Sequence, residues 1–243
     1  MEEKKTYKVI ASGLLALILG ASFIVSAFIV SRTFLEIKKS EDLISVSGSA
    51  KQAVTADSAR WTGNFSRSVF KDQLKDGYAG MKADEQIVRD FFVRQGFDKV
   101  EISPIFMNEM YKMDQNSPTQ YNLIQNIEVK SDDVQKMKVL AKNSEELAAK
   151  GIIFSANPVE YYYSQLPDVR ISLLPEALKD AKKRAEAIAS SSGKSVDSIK
   201  SVSMGVVQVM PAGSTDISDY GLYDTGSIDK EIMITVKASF GLR

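Results

Sequence analysis

The segment Glu231-Ile-Met-Ile-Thr-Val-Lys-Ala-Ser-Phe240 near the C-terminus alternates with a period of two. Ile232, Ile234, Val236, Ala238 and Phe240 fall on one side, and Glu231, Thr235, Lys237 and Ser239 on the other. That period is the signature of a strand with one buried and one wet face. A strand of this kind needs a sheet covered on one side, and the rest of the chain supplies helices to cover it.

Upstream, Val196 to Met210 reads as a further strand. Before it, Pro175 suits the first turn of a helix that runs to about Ser192, with Gly193 as its stop. Ile152 to Gln165 is strand-like and carries Tyr161, Tyr162 and Tyr163. Ser131-Asp132-Asp133 supplies an N-cap and an acidic first turn to a helix ending near Gly151. Tyr121 to Val129 and Phe97 to Ile105 read as strands, and the polar stretch Phe106 to Thr119 between them reads as an extended hairpin tip. A long helix spans about Lys71 to Gln95, with Gly96 where a left-handed C-cap belongs. Ala59, Trp61, Gly63 and Phe65 share one strand face. Ile44, Val46, Gly48 and Ala50 share another, in a strand linked to it by Gln52 to Asp57. The order is ββ-α-ββ-α-β-α-ββ. The reading is an α+β fold: an antiparallel or mixed sheet with helices packed on one face, preceded by one N-terminal transmembrane helix.

That helix is read from Val9 to Val30, which is Leu, Ile, Val, Ala, Phe and Gly with three serines, and no charge lies between Lys8 and Arg32. A helix of this length, at about 1.5 Å per residue, covers the roughly 30 Å hydrocarbon core of a bilayer. Its length favours an uncleaved anchor over an export signal, although Val25-Ser26-Ala27 has the small-residue character of a cleavage site. Lys4, Lys5 and Lys8 nearly balance Arg32, Lys38 and Lys39, so orientation rests on the short tail, which favours N-in. The chain thus divides into a cytoplasmic tail (1–8), an anchor (9–31), a stalk (32–42) and one extracytoplasmic domain (43–243).

Composition excludes several classes of chemistry. Lys+Arg and Asp+Glu both number 31, leaving none of the basic surplus that nucleic-acid binding needs. There is no cysteine and no histidine. Disulfides, thiolate zinc sites, Ser-His-Asp and Cys-His centres are therefore absent as written.

Several pieces together resemble the SIMPL domain family (DUF541), whose members are mostly bacterial envelope proteins. They are Ile44-Ser-Val-Ser-Gly48-Ser-Ala50, Ala56-Asp57-Ser58-Ala59, Gln95-Gly96-Phe97 and Val100-Glu101-Ile102-Ser103. The most specific is the helix Ala177-Leu-Lys-Asp-Ala181-Lys-Lys-Arg-Ala185-Glu-Ala187-Ile-Ala189, ending at Gly193-Lys194. The match covers residues 43–243 in the right order. It departs at Ser49-Ala50, where members often carry another glycine, and at Ala56, where proline is frequent. The resemblance implies an α+β fold, an extracytoplasmic address and self-assembly into larger oligomers. It implies no reaction.

Candidate contact residues are few. Met107, Met110 and Met113 have a spacing that suits thioether ligation of copper(I), but on a strand Met110 faces away from the other two. A partner-packing surface is the better reading. Asp216, Asp219, Asp224 and Asp229 match no EF-hand loop and read as turn formers. Around them Tyr220 and Tyr223, with Tyr162 from the tyrosine run, are candidate subunit or ligand contacts. Lys179, Lys182, Lys183 and Arg184 read as the wet side of an amphipathic helix. No catalytic, metal or cofactor residues are assigned. The expectation is a non-enzymatic, membrane-anchored module that self-assembles as a homo-oligomer or binds envelope proteins. A ring-like channel or scaffold and an envelope hydrolase with Ser-Lys or carboxylate chemistry are the alternatives.

Overall fold

The computed structural model describes residues 13, 17, 19–34, 43–112, 114 and 117–243. The expected tail (1–8), most of the stalk and Met113 lie outside them. Residues 19–34 are helical (α1). Among the described residues no helix is long and apolar enough to cross a membrane. The sixteen in α1 fall short of the roughly 20 a span needs, and most of residues 9–18 lie outside the described ones.

The remaining elements are β1 (Leu43–Thr55), β2 (Ser58–Phe70), α2 (Leu74–Arg94), β3 (Val100–Ile102), β4 (Phe106–Glu109), β5 (Gln120–Ser131), α3 (Val134–Asn143) and α4 (Glu145–Ala149). They are followed by β6 (Ile153–Ala156), β7 (Glu160–Tyr162), α5 (Leu166–Ser172), α6 (Leu174–Ser191), β8 (Val196–Met204), β9 (Gln208–Pro211), β10 (Leu222–Tyr223) and β11 (Asp229–Leu242). The α+β class holds, with two sheets rather than a single one. One is wholly antiparallel, and the other is mixed by the parallel pair β9–β10. The chain forms two compact units. One comprises Ala50–Glu176 and Gly205–Thr235; the other has the described residues up to Ser49, Ala177–Met204 and Val236–Arg243.

The larger unit is built on the ladder between β2 and β5, which runs from Ala59↔Ser131 to Phe70↔Gln120 without a register shift. β3 and β4 pair with the outer edge of β5, and β6 and β7 with the outer edge of β2. Alternation sends Ala59, Trp61, Phe65 and Val69 to the same side as Leu123, Ile127 and Val129, all buried. Onto them pack Met81, Val88, Phe91 and Phe92 of α2, Val134, Met137 and Leu140 of α3, and Leu147 of α4. Trp61 sits 5.9 Å from Phe92, and its indole N–H donates to the Asn157 carbonyl at 2.9 Å, so the one polar atom of the ring is satisfied inside the core. Arg67 grips the buried Asp84 carboxylate through Nε at 2.9 Å and Nη2 at 2.7 Å, tying α2 to β2. α2 stops at Gly96, whose φ of +81° only glycine adopts without strain. α3 starts at Asp133, whose carboxylate accepts from the Lys136 N–H at 2.8 Å.

Where elements are shorter than their sequence pattern, prolines and serines explain it. The Phe97–Ile105 pattern pairs only over Val100–Ile102 because Pro104 has no N–H to give. Ile152–Gln165 divides into β6 and β7 around Pro158. The second helix breaks at Ser144, whose hydroxyl turns back to the Ala141 carbonyl at 2.8 Å.

In the smaller unit, α6 buries Ala177, Ala181, Ala185 and Ala189, one residue per turn. Gly48 of β1 meets that stripe. A Cβ at Gly48 would collide with the Ala177 carbonyl oxygen and the Ala181 nitrogen, and would lie 2.7 Å from the Ala181 Cα. These are backbone atoms and cannot swing aside. The Ser49 N–H donates to the Asp180 carboxylate at 2.9 Å, and Arg184 holds the same carboxylate at 2.9 Å. Together they draw the Asp180 carboxyl below its ordinary value. Gly48→Ala is expected to lower stability by about 3 kcal/mol through overpacking. Ser47→Ala, on the opposite face of the strand, should change it by less than about 0.5 kcal/mol. Urea unfolding of the two variants checks the contrast.

Candidate interaction surface

β7 hydrogen-bonds to β2 with Tyr162 opposite Ser58, Tyr161 opposite Ala59 and Glu160 opposite Arg60. The alternation buries Tyr161 in the core and turns Tyr162 outward. The Tyr162 hydroxyl donates to the Glu160 carboxylate at 3.0 Å, and Arg60 reaches the same carboxylate at 2.9 Å. Burial first, and then this carboxylate, push the Tyr162 hydroxyl above its ordinary pKa. The turn after β7 is tied to the start of β2. Asp57 accepts from the Ser164 N–H at 2.8 Å and from its hydroxyl at 2.7 Å.

The segment between β9 and β11 folds over this edge. Its turns are made by aspartates and glycines, and a buried polar framework fixes them. The Gln208 amide donates to the Ser218 carbonyl at 2.6 Å. Gly221 takes a φ of +88°, which lets the chain double back so that β10 pairs in parallel with β9. Asp224 then accepts from the N–H groups of Gly226 at 3.0 Å and Ser227 at 3.1 Å, and from the Ser227 hydroxyl. Lys230 completes the knot. Its ammonium donates to the Asp224 carbonyl at 2.6 Å and to the carboxylate at 3.1 Å, with the lysine side chain 0% exposed. Backbone bonds from Tyr161 N–H to the Thr225 carbonyl and from Ala56 N–H to the Ile228 carbonyl, both 2.8 Å, attach the segment to the sheet edge.

Burial alone would raise the Asp224 carboxyl. The bonds from Ser227, Lys230 and the two backbone N–H groups outweigh it and hold the carboxyl below its ordinary value of 3.8. The knot is a structural pair rather than a nucleophile and its base. The Ser227 hydroxyl donates to the aspartate, and the enclosed lysine nitrogen is taken up by the Asp224 carbonyl and carboxylate. Beside it lies an open cleft of about 590 Å3, bordered by Thr55, Tyr161, Ala212, Ser227 and Asp229, with Lys138 on its rim. Among the described residues no group of three or more Asp or Glu side chains converges as a metal site would require.

Of the residues singled out from sequence, two meet. The Tyr162 and Tyr223 rings lie 6.0 Å apart at 36°, and the Tyr223 hydroxyl accepts from the Tyr163 N–H at 3.2 Å. Tyr220, on the same segment, is 96% exposed. Met107 and Met110 are exposed beside β4, at the opposite edge of the antiparallel sheet, so they share no surface with the tyrosine pair. Met113 lies outside the described residues. The framework residues Gln208, Lys230, Asp57 and Ser164 were not anticipated. The Asp224-x-Gly226-Ser227 spacing is a readable turn signal, whereas nothing local marks Lys230 as buried.

Asp224→Ala, which strands the Lys230 charge in the interior, is expected to cost about 3–5 kcal/mol. Lys230→Met should cost less, because Met fills the volume and Asp224 retains some contact with water. A carboxyl with a depressed folded pKa stabilises above its unfolded value and loses that contribution as pH falls through the folded one. Wild type should therefore lose stability steeply in acid, and Asp224→Asn should show a flatter acid limb. Urea midpoints measured across pH check both.

No curated protein matches the chain. The family profile of SIMPL, described as proteins of unknown function (DUF541), matches residues 44–240. That span runs from the first residues of β1 almost to the end of β11, and so takes in the larger unit, most of the smaller one outside α1, the Gly48 contact and the Asp224–Lys230 knot. The chain belongs to the SIMPL family.

Proposed function

We propose that the protein is a non-enzymatic module, anchored in a membrane by its N-terminal helix with the α+β region outside the cytoplasm, that self-assembles or binds envelope proteins. The observation that carries this reading is α1. Every described side chain between residues 19 and 34 is exposed, including Leu19, Phe23, Ile24, Phe28, Ile29 and Phe34, which point in all directions around the helix. A helix apolar on all sides and covered by none of its own chain needs lipid or a partner around it. The uncharged run from Val9 to Val30, whose second half lies in α1, has the length for lipid.

A binding role is supported by the segment between β9 and β11. Its turns are fixed by buried polar bonds, and what it presents outward is Tyr220, Ile217 and the edge of the Tyr162–Tyr223 pair. Rigid, amphipathic tyrosines make good contact residues because ordering them costs little entropy. The serine and lysine of the knot, Ser227 and Lys230, are both committed to Asp224, which favours a binding module over a hydrolase.

The chain contains no cysteine, so a single introduced one is a clean reporter. With Tyr220→Cys expressed in a bacterial host, a membrane-impermeant maleimide added to intact spheroplasts should label the protein. The protein should also stay in the pellet after alkaline carbonate extraction. Labelling only after lysis, or recovery in the soluble fraction, would refute the anchored extracytoplasmic reading.

A further inference from the structure

β8 has one paired edge and one free edge. The paired edge runs along β11, with Met204 opposite Val236, Val202 opposite Ala238 and, beyond a bulge, Ile199 opposite Phe240. Residues opposite one another in an antiparallel pair share a face. The bulge matters, because without it Ile199 would fall on the other side. Val236, Ala238 and Phe240 are 0–2% exposed, whereas Ile199, Val202 and Met204 are 46–48% exposed. The apolar face of the smaller unit thus loses its cover one strand before its edge. Among the described residues no strand pairs with the far edge of β8, so unpaired backbone donors and acceptors run beside this bare apolar row.

Sheet edges are ordinarily guarded by charge, proline or a bulge. Asp197, Lys200 and the bulge guard one end of β8. Ser201-Val202-Ser203-Met204 has no such guard.

Among the described residues the other free edge of the unit belongs to β1, whose residues Leu43–Ser49 are uncharged and pair there only with β11. Its pattern matches that of β8. Ile44, Val46 and Gly48 are the more buried positions, and Ser45, Ser47 and Ser49 alternate with them. On the far face the Ser45 and Ser239 hydroxyls touch at 2.6 Å, and Ser239 stands opposite Ser201, so serines form a row across all three strands. The contacts Ser45–Ser239, Lys51–Glu231 and Thr55–Asp229 fall in antiparallel order, so β1 and β8 both run against β11 and parallel to each other.

We infer that the free edge of β8 is completed by β1 of a second copy of this chain, with Ser201–Met204 pairing in parallel along Leu43–Ser49. The inference rests on the self-assembly branch of the proposed function. Helix spacing selects β1 over a second β8. α6 lies tight on β1 at Gly48, and strands are about 4.8 Å apart. Repeating a three-strand unit therefore brings the next α6 to about 14 Å from the first, with the row of Ile199, Val202 and Met204 between them. A two-fold β8–β8 contact would leave the helices about 24 Å apart over two bare rows, much farther from the 8–10 Å at which helices pack than the single-row repeat. A β8–β1 contact joins unlike edges, so it propagates until a ring closes or a fibre grows.

The test uses the full chain purified in detergent. Light scattering corrected for bound detergent should show assemblies larger than the protomer. Val202→Lys should reduce them to protomers while Val202→Thr retains them. In the same background, Met204→Cys protein mixed with Ile44→Cys or Val46→Cys protein should form an intermolecular disulfide on oxidation that neither forms alone. If Val202→Lys loses cooperative thermal unfolding, the disulfide arm decides by itself. Assembly that is unchanged by Val202→Lys and yields no mixed disulfide would overturn the edge contact while leaving a self-assembling module in place. A Ser201→Cys homodisulfide as the main product would overturn it in favour of a two-fold. Protomers at every concentration would overturn it outright, and the membrane labelling of Tyr220→Cys is independent of all these outcomes.

Discussion

The larger unit depends on the unbroken ladder between β2 and β5. Twelve consecutive residue pairs hold register from Ala59↔Ser131 to Phe70↔Gln120. A slip of one residue would send Trp61, Phe65, Leu123, Ile127 and Val129 to the wet face together. Because both edges of this central pair remain open, short strands can attach on either side, β3 and β4 to β5, and β6 and β7 to β2. The interaction surface inherits its position from that arrangement. Tyr162 points outward because Tyr161 is held inward opposite Ala59, and Ala59 faces the core because the ladder does.

A second constraint is electrostatic. Lys230 is fully enclosed, and an isolated ammonium there would be strongly unfavourable. Asp224 offsets that cost with its carboxylate and its own carbonyl, and the turn it nucleates supplies two further N–H donors to the same carboxylate. One aspartate thus ends β10, shapes the turn into β11 and neutralises the first buried residue of that strand. Buried ion pairs of this kind add little net stability over an apolar filling. Here the pair selects one conformation for a segment that presents Tyr220 and Tyr223 at the surface.

The smaller unit is held differently, by closeness. With glycine at 48 and alanines at 177 and 181, backbone meets backbone, and no side chain is long enough to prop the elements apart. Such packing gains dispersion from many short contacts and tolerates no added atom. It also narrows the covered area. A helix seated tightly on β1 does not extend its cover to the far strand of a three-strand arrangement, and the exposed row on β8 follows from that geometry.

Much of this was legible in the chain itself. The period-two runs in β1, β2, β5 and β11, the Gly96 cap, the Asp133 cap and the alanine spacing of α6 are local signals, each produced by forces acting within a few residues. The motifs that carry the family resemblance are of the same local kind. What the chain could not declare depends on partners distant in sequence. Pro158 divides a strand pattern because both pieces must bond to β2, nearly a hundred residues earlier. Met107 and Tyr162, equally plausible as contacts when read alone, are separated to opposite edges of one sheet by strand order, which local pattern does not encode. Tyr162 and Tyr223 meet only because Gly221 and the Asp224–Lys230 knot fold their segment back. Periodicity determined which residues face inward. Tertiary structure alone decided which of the outward ones stand together, because that rests on strand order and on a buried charge pair rather than on any residue's own neighbours.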